Sequence, residues 1–171
     1  MRLRPLVADD AEAVAACNDV EVPRVSHLGV EGLRAHLPRC RVALVAEGDD
    51  DRLAGFVLAV PPGSDYVSVN YRWFENRGTD HLYVDRVVVA PYARRRGVAG
   101  LLYGAVEEAA RAAGREEVTC EVNIRPRNDA SLAFHAARGY VEVGRQDTDG
   151  GAKTVTLLAK PLTSGLRHAA G

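Results

Sequence analysis

The chain has 171 residues, 47% hydrophobic and 26% charged, which suits one soluble globular domain and excludes a disordered chain. Twenty-two basic residues against 23 acidic leave a formal charge of -1, which excludes a whole-chain nucleic-acid binder but leaves room for a local basic site. Three scattered cysteines (Cys17, Cys40, Cys120) without a CxxC pair, and five scattered histidines, predict neither a disulfide framework nor a metal site.

Only Lys153 and Lys160 are lysines, so arginine is the default base. Asp9, Asp10 and Glu12 interrupt the first apolar stretch, so no signal segment or membrane span is read and a cytoplasmic protein is expected. One domain is expected over residues 1–160, with a loose tail over 161–171.

In chain order, 2–6 predicts a short strand. Asp9 or Asp10 can cap a helix running to about Asn18, and a second short helix over 30–37 meets Pro38. Residues 41–47 and 53–60 are apolar runs of strand length around the turn residues 48–51. The aromatic and polar segment 70–77 reads either as a cover for the core edge or as a wall on the substrate side. Residues 81–89 are rich in β-branched residues and predict a strong strand. Val98, Leu101, Leu102, Ala105, Val106 and Ala109 carry helical spacing through 97–113, with Gly114 where a C-terminal cap belongs. A strand over 117–123, a helix over 129–138 closed by Gly139, and a strand pair over 140–146 and 153–158 complete a mixed sheet with helices packed on it.

The junction from Val87 through Tyr103 is the most informative stretch. A buried strand runs into Arg94-Arg95-Arg96-Gly97 and then into an amphipathic helix. Unpaired N–H groups at a helix start attract anions, and Gly97 and Gly100 leave room for one to approach the backbone. From Arg86 to Val106 there are four arginines and no carboxylate. Neither GxxxxGK[ST] nor GxGxxG is present, so neither a P-loop nor a dinucleotide fold is predicted.

Arg94-Arg-Arg-Gly97-Val-Ala99 resembles the R/Q-x-x-G-x-G/A signature of the GNAT acetyltransferase superfamily, as do the Val-x-Pro strand end at Val89–Pro91 and the block Asn128 to Tyr140. Tyr71-Arg-Trp-Phe74 with Tyr83-Val-Asp-Arg86 is similar to a bacterial subset of that family. The resemblance implies a mixed, mostly antiparallel α/β (α+β) sheet of six to seven strands flanked by helices, with a central splayed parallel strand pair at 81–89 and 117–123.

It further implies an acetyl-CoA-dependent N-acetyltransferase that moves an acetyl group directly to a primary amine of a small molecule, amino acid or peptide N-terminus. The pantetheine arm would lie along Val87, Val88 and Val89. The pyrophosphate would meet Arg94, Arg95, Arg96, Gly97, Val98, Ala99 and Gly100. Asn128, Ser131 and Phe134 would contribute from the following helix. Glu121 and Asp85 are the candidate bases; alternation predicts Asp85, Val87 and Val89 on one face. Asp85 could equally pair with Arg86, and Asn128 could be a plain helix cap.

Phe134 stands where the family's general-acid Tyr falls, so Tyr140, Tyr83 and His135 are the alternative donors, with His135 expected on an exposed helix face. The missing hydroxyl also motivates an alternative, a non-catalytic acyl-CoA-binding module. Tyr71, Trp73, Phe74 and Glu75, with Tyr66, are expected to shape the acceptor pocket. No metal, nucleic acid or membrane partner is expected, and the last strands could support a homodimer.

Overall fold

The structure, a computed structural model, describes residues 1–162. Seven strands form one sheet: β1 (Arg2–Pro5), β2 (Val42–Glu47), β3 (Leu53–Val60), β4 (His81–Val89), β5 (Glu117–Arg125), β6 (Val141–Thr148) and β7 (Lys153–Pro161). Their spatial order is β1-β2-β3-β4-β5-β7-β6. Every neighbouring pair is antiparallel except β4 and β5. Parallel neighbours need a crossover, and the helix between β4 and β5 supplies it.

Five helices cover the sheet: α1 (Ala11–Asp19), α2 (Gly29–His36), α3 (Val69–Arg77), α4 (Val98–Ala112) and α5 (Asp129–Ala137). On one face Ala11 and Val14 of α1 and Leu33 of α2 pack on Val45, Phe56, Leu58 and Val88. On the same face Tyr71 and Phe74 of α3 pack on Val60, Tyr83, Val155 and Leu157. On the other face Val98, Leu102 and Val106 of α4 pack on Val57, Leu82, Val84, Val118 and Cys120. Burying apolar area from both sides is the main stabilisation of such a layered domain.

Segment 70–77, ambiguous as sequence, is helical. The Ser68 side chain accepts from Tyr71 N at its start, and Gly78 ends it with φ 80°. Asp10 does not cap α1 through its side chain; its carboxylate accepts from Val7 N and Arg4. β7 extends through Pro161 and Leu162 is buried, so the first two residues of the expected tail belong to the folded body. The rest of that tail, 163–171, lies outside the described residues.

Two backbone features shape the sheet around β4. A Cβ on Gly55 would stand 2.6 Å from the Val88 carbonyl oxygen and 3.2 Å from Val98, so only glycine lets β3, β4 and α4 approach this closely. In β4, Arg86 pairs with Leu58 and Val84 with Ala59, leaving Asp85 as an extra residue: a β-bulge.

Candidate functional site

β4 and β5 pair only at His81–Glu117, Leu82–Val118 and Tyr83–Thr119. Beyond Tyr83 they part, so the edge of β4 from Val84 to Val89 has no strand partner on its β5 side. The opening leads toward the start of α4. There Gly97 has φ 79°, a conformation that favours glycine, and the first turn of a 15-residue helix presents N–H groups without intrahelical partners. A Cβ on Gly97 would meet no protein atom within 4 Å, so the space above it is open. Arg95 and Arg96 are exposed, whereas Arg94 is bonded to Glu21. The result is a positive, hydrogen-bond-donating socket suited to a pyrophosphate.

At the floor of the splay, the fully buried Tyr83 donates its hydroxyl to Glu121 Oε2 at 2.8 Å. Glu121 keeps partial solvent access, yet protein crowds its carboxyl. Burial pushes that carboxyl up, the Tyr83 hydroxyl pulls it down, the Asp85 charge pushes it up and Asn70 pulls it down; it settles pushed up to about 8. Gln146 of β6 holds Asn70 Oδ1 at 2.6 Å, orienting the amide.

Asp85 does not share a face with Val87 and Val89. The bulge reverses the alternation: Val84, Val87 and Val89 face α4, while Asp85 and Arg86 both face α1 and α2. Tyr66 donates to Asp85 Oδ1 at 2.7 Å, and Arg86 Nε to Oδ2 at 3.1 Å. His36 Nε2 lies 3.1 Å from Oδ2, off the line of a hydrogen bond. Burial pushes the Asp85 carboxyl up, but His36, Arg86 and Tyr66 together hold it below its ordinary value. Arg86 is spent as well, donating to Asn18 Oδ1, Ser26 O and Ser26 Oγ. The pairing of Asp85 with Arg86 raised by the sequence is therefore present, with two further partners.

Helix α3 anchors the loop that carries Tyr66. Tyr71 donates its hydroxyl to Pro61 O at 2.7 Å and accepts from Ser64 N at 3.0 Å. Glu75 Oε2 accepts from Gly63 N at 2.9 Å, while its other oxygen lies 2.8 Å from Nε2 of the buried His81. His81 Nδ1 meets Thr119 Oγ1 at 3.0 Å. Phe74 is 1% exposed and packs on Tyr83 and His81, which corrects its expected place on the pocket wall. Trp73 packs against Gly144, where a Cβ would stand 2.4 Å from the indole. Two clefts flank Tyr66. One, of about 360 Å³, is bordered by Asp65, Tyr71, Arg72 and Glu75. The other, of about 230 Å³, lies between α2, Val67 and Arg86.

On the α4 side, Asn128 caps α5, accepting from Ser131 N at 3.2 Å. Phe134 is half-buried with its ring 5.4 Å from that of Tyr103. His135 is buried, against expectation: its Nδ1 is 2.7 Å from Ser131 O and its Nε2 2.7 Å from the Tyr103 hydroxyl. The carbonyl contact fixes the proton on Nδ1, so Nε2 accepts from Tyr103. Tyr140 directs its hydroxyl to Glu107 at 3.3 Å, which also holds Arg138 at 3.0 Å and Lys160 at 2.8 Å. Burial pushes the Cys120 thiol far up, so it is a packing group and a poor nucleophile. Among the described residues no group of three His, Cys, Asp or Glu side chains could hold a metal, and no helix is long and apolar enough to cross a membrane.

The family model described as "Acetyltransferase (GNAT) family" matches residues 13–140. The chain belongs to the GNAT family of acetyltransferases. No curated protein matches its sequence. Among solved structures it is similar to Naa20 of Chaetomium thermophilum bound to a bisubstrate analogue, at 23% identity and TM-score 0.73 over 95% of this chain and 87% of that one. It is similar to the ribosomal-protein-S18-alanine N-acetyltransferase of Escherichia coli, at 14% identity and TM-score 0.71 over 98% of this chain and 97% of that one. It is also similar to a nourseothricin acetyltransferase, at 26% identity and TM-score 0.67 over 94% of this chain and 97% of that one.

In this GNAT enzyme the splay brings Glu121, Tyr83 and the open β4 edge together. Tyr140 touches none of them among its hydrogen-bonding partners. His36, Asn70, Asn18 and Ser26 escaped the sequence reading. No motif marks them: Asn18, His36 and Asn70 lie on three different helices, α1, α2 and α3, and Ser26 on the loop between α1 and α2, so they meet through tertiary packing and not through spacing along one element.

Proposed function

We propose that this GNAT enzyme transfers an acetyl group from acetyl-CoA directly to a primary amine of a small molecule, amino acid or peptide N-terminus. The observation that carries the reading is the pairing of buried Tyr83 with the partly exposed Glu121 at the floor of a strand splay that opens onto a helix start suited to an anion. When bound, acetyl-CoA supplies an activated thioester carbonyl. Arg95, Arg96 and the amides from Gly97 to Gly100 hold its pyrophosphate. Arg94 joins them only by releasing Glu21. Val87, Val88 and Val89 lend the unpaired β4 edge to the pantetheine arm, and backbone amides there polarise the carbonyl. Asn128, Ser131 and Phe134 line the α5 side.

Glu121 accepts a proton from the acceptor ammonium, and the Tyr83 hydroxyl steadies the carboxylate that must be present first. Asp85, its oxygens already committed, supports the walls and does not act as the base. Phe134 has no hydroxyl and the Tyr140 hydroxyl faces Glu107, so the thiolate leaves without a side-chain acid from α5. A free thiol has a pKa of only about 8.5, which makes this feasible. By their names, similar enzymes act on a ribosomal-protein alanine and on nourseothricin, so peptide and small-molecule acceptors are both compatible with the fold. Trp73, Tyr71 and Glu75 then shape the acceptor side mainly by holding the loop and strand that border it. A cytoplasmic location and a homodimer through the outer edge strand β6 complete the reading.

Calorimetric binding of acetyl-CoA followed by a thiol-release screen of primary amines tests it; absence of binding overturns it. The Phe134 position favours the second reading, a CoA-binding module. Binding without thiol release across a broad amine panel, with Glu121→Gln indistinguishable from wild type, would establish that reading instead.

A further inference from the structure

We propose that the cleft between α2, Val67 and Arg86 is a subsite for one apolar substituent of the acceptor, so that the preferred acceptors are primary amines carrying an aliphatic or aromatic group beside the amino carbon. The inference rests on the acetyltransferase reading above and extends it to the class of acceptor.

The cleft is in the right place. Tyr66, His36 and Arg86 all line it, and all three touch Asp85, the bulge residue of β4. The cleft therefore borders the Asp85 bulge, and Asp85 and Arg86 lie close enough for their charges to act on the Glu121 carboxyl. An acceptor whose amine reaches Glu121 has the cleft within reach of its next substituent.

Its chemistry selects an apolar occupant. Two arginines border the cleft, yet neither is free to select an anion. Arg86 is committed to Asp85, Asn18 and Ser26. Arg39 is committed to Asp65 at 2.8 Å and to Ala35 O at 2.8 Å. His36 keeps its Nε2 buried beside Asp85, without a hydrogen bond and out of reach of the cleft. What these groups leave for an occupant is Leu28, Ala35, Val67, the Tyr66 ring and Gly32, where an added Cβ would stand 3.7 Å from Leu28. Burying a charge there without a partner would cost more than it returns, whereas burying a hydrocarbon is favourable.

Size points the same way. About 230 Å³ is below the usual range of a pocket for a whole drug-sized ligand and suits a single side chain. Val67 is 71% exposed on a loop that Tyr71 and Glu75 otherwise fasten down.

The test uses amino-acid amides, which share one amine and one amide and differ only in side chain: glycinamide, valinamide, leucinamide, phenylalaninamide and aspartic acid α-amide. With acetyl-CoA, kcat/KM should rise at least about tenfold from glycinamide to leucinamide, the discrimination a hydrophobic pocket gives. The aspartic acid amide should not exceed glycinamide. Gly32→Leu fills the cleft from a helical position that favours leucine over glycine, so folding is not at risk. It should erase the rise and leave glycinamide unchanged. Val67→Asp, at an exposed site, should reduce the rise in the same way.

A flat series, a preference for the acidic side chain, or an undiminished rise in both variants overturns the subsite. Calorimetric titration of leucinamide against glycinamide, into both the CoA-loaded and the unloaded protein, decides the question without turnover: equal affinities overturn the subsite. Loss of CoA binding or of turnover, with the leucinamide preference kept, overturns the acetyltransferase reading instead.

Discussion

Replacing Tyr83 by Phe removes one hydroxyl and leaves the ring in place, so the packing with Tyr71 and Phe74 survives. The change acts on the Glu121 carboxyl, pushed up to about 8 by burial and kept from rising further by that hydroxyl. A hydrogen bond to a charged group contributes about 1.5–3 kcal/mol. At about 1.4 kcal/mol per pH unit, its loss should raise the carboxyl by about one to two further units. With a value near 8 only roughly a tenth of Glu121 is ionised at neutral pH. Acceptor-limited kcat/KM should therefore climb through pH 8 in the wild type. In Tyr83→Phe the same limb should move up by about one to two units. Asp85→Asn removes a negative neighbour and should move the limb down. One acceptor is used throughout, so its own titration cancels in the comparison. Rate profiles for the wild type, Tyr83→Phe, Asp85→Asn and Glu121→Gln, read by thiol release, would refute the reasoning if Tyr83→Phe left the limb in place or if Glu121→Gln kept it.

The same carboxyl makes stability depend on pH. Its folded pKa lies above the ordinary carboxylate value, so its contribution is complete below about pH 4.5 and is lost as pH rises through 8. Thermal melts of Glu121→Gln should lack that decline and exceed the wild type at pH 9. Gly55→Ala drives a methyl against the Val88 carbonyl and Val98, and should cost about 1–3 kcal/mol in denaturant melts. The Cβ added by Gly97→Ala meets no protein atom within 4 Å, so its folding cost is mainly that of a left-handed backbone, about 1–2 kcal/mol, while CoA affinity measured by calorimetry should fall at least about tenfold for the bulkier Gly97→Val. Gly144→Ala displaces the indole of Trp73 and should shift the tryptophan emission without abolishing CoA binding.

The strand–helix–strand unit from His81 to Asn123 is legible in the sequence because its signals agree: β-branched residues, an Arg/Gly junction, then helical spacing. The bulge is not. Its trace in the sequence is two adjacent charged residues, Asp85 and Arg86, in an apolar strand, and strict alternation sends them to opposite faces. Only the extra residue lets both meet α1 and α2. Helix α3 is obscured because its aromatics are split between Trp73 on Gly144 and Tyr71 with Phe74 in the core, which blurs a single apolar stripe. His135 misleads because its burial depends on a hydroxyl 32 positions away, that of Tyr103. Gly144 carries no signal of its own; its lack of a side chain matters only once the indole lies on it.

Both lysines of this chain are committed. Lys153 Nζ donates to Pro23 O at 3.2 Å and pairs with Asp149 at 3.1 Å, and Lys160 is held by the buried Glu107 at 2.8 Å. An amine attacks a thioester only when it is neutral and free to move, and an ion pair favours the ammonium form. With arginine serving almost everywhere else as the cation, the enzyme presents few side chains that its own acyl donor could modify. The arginine-for-lysine bias that first looked like a matter of composition thus leaves this chain two amine side chains, both held in ion pairs.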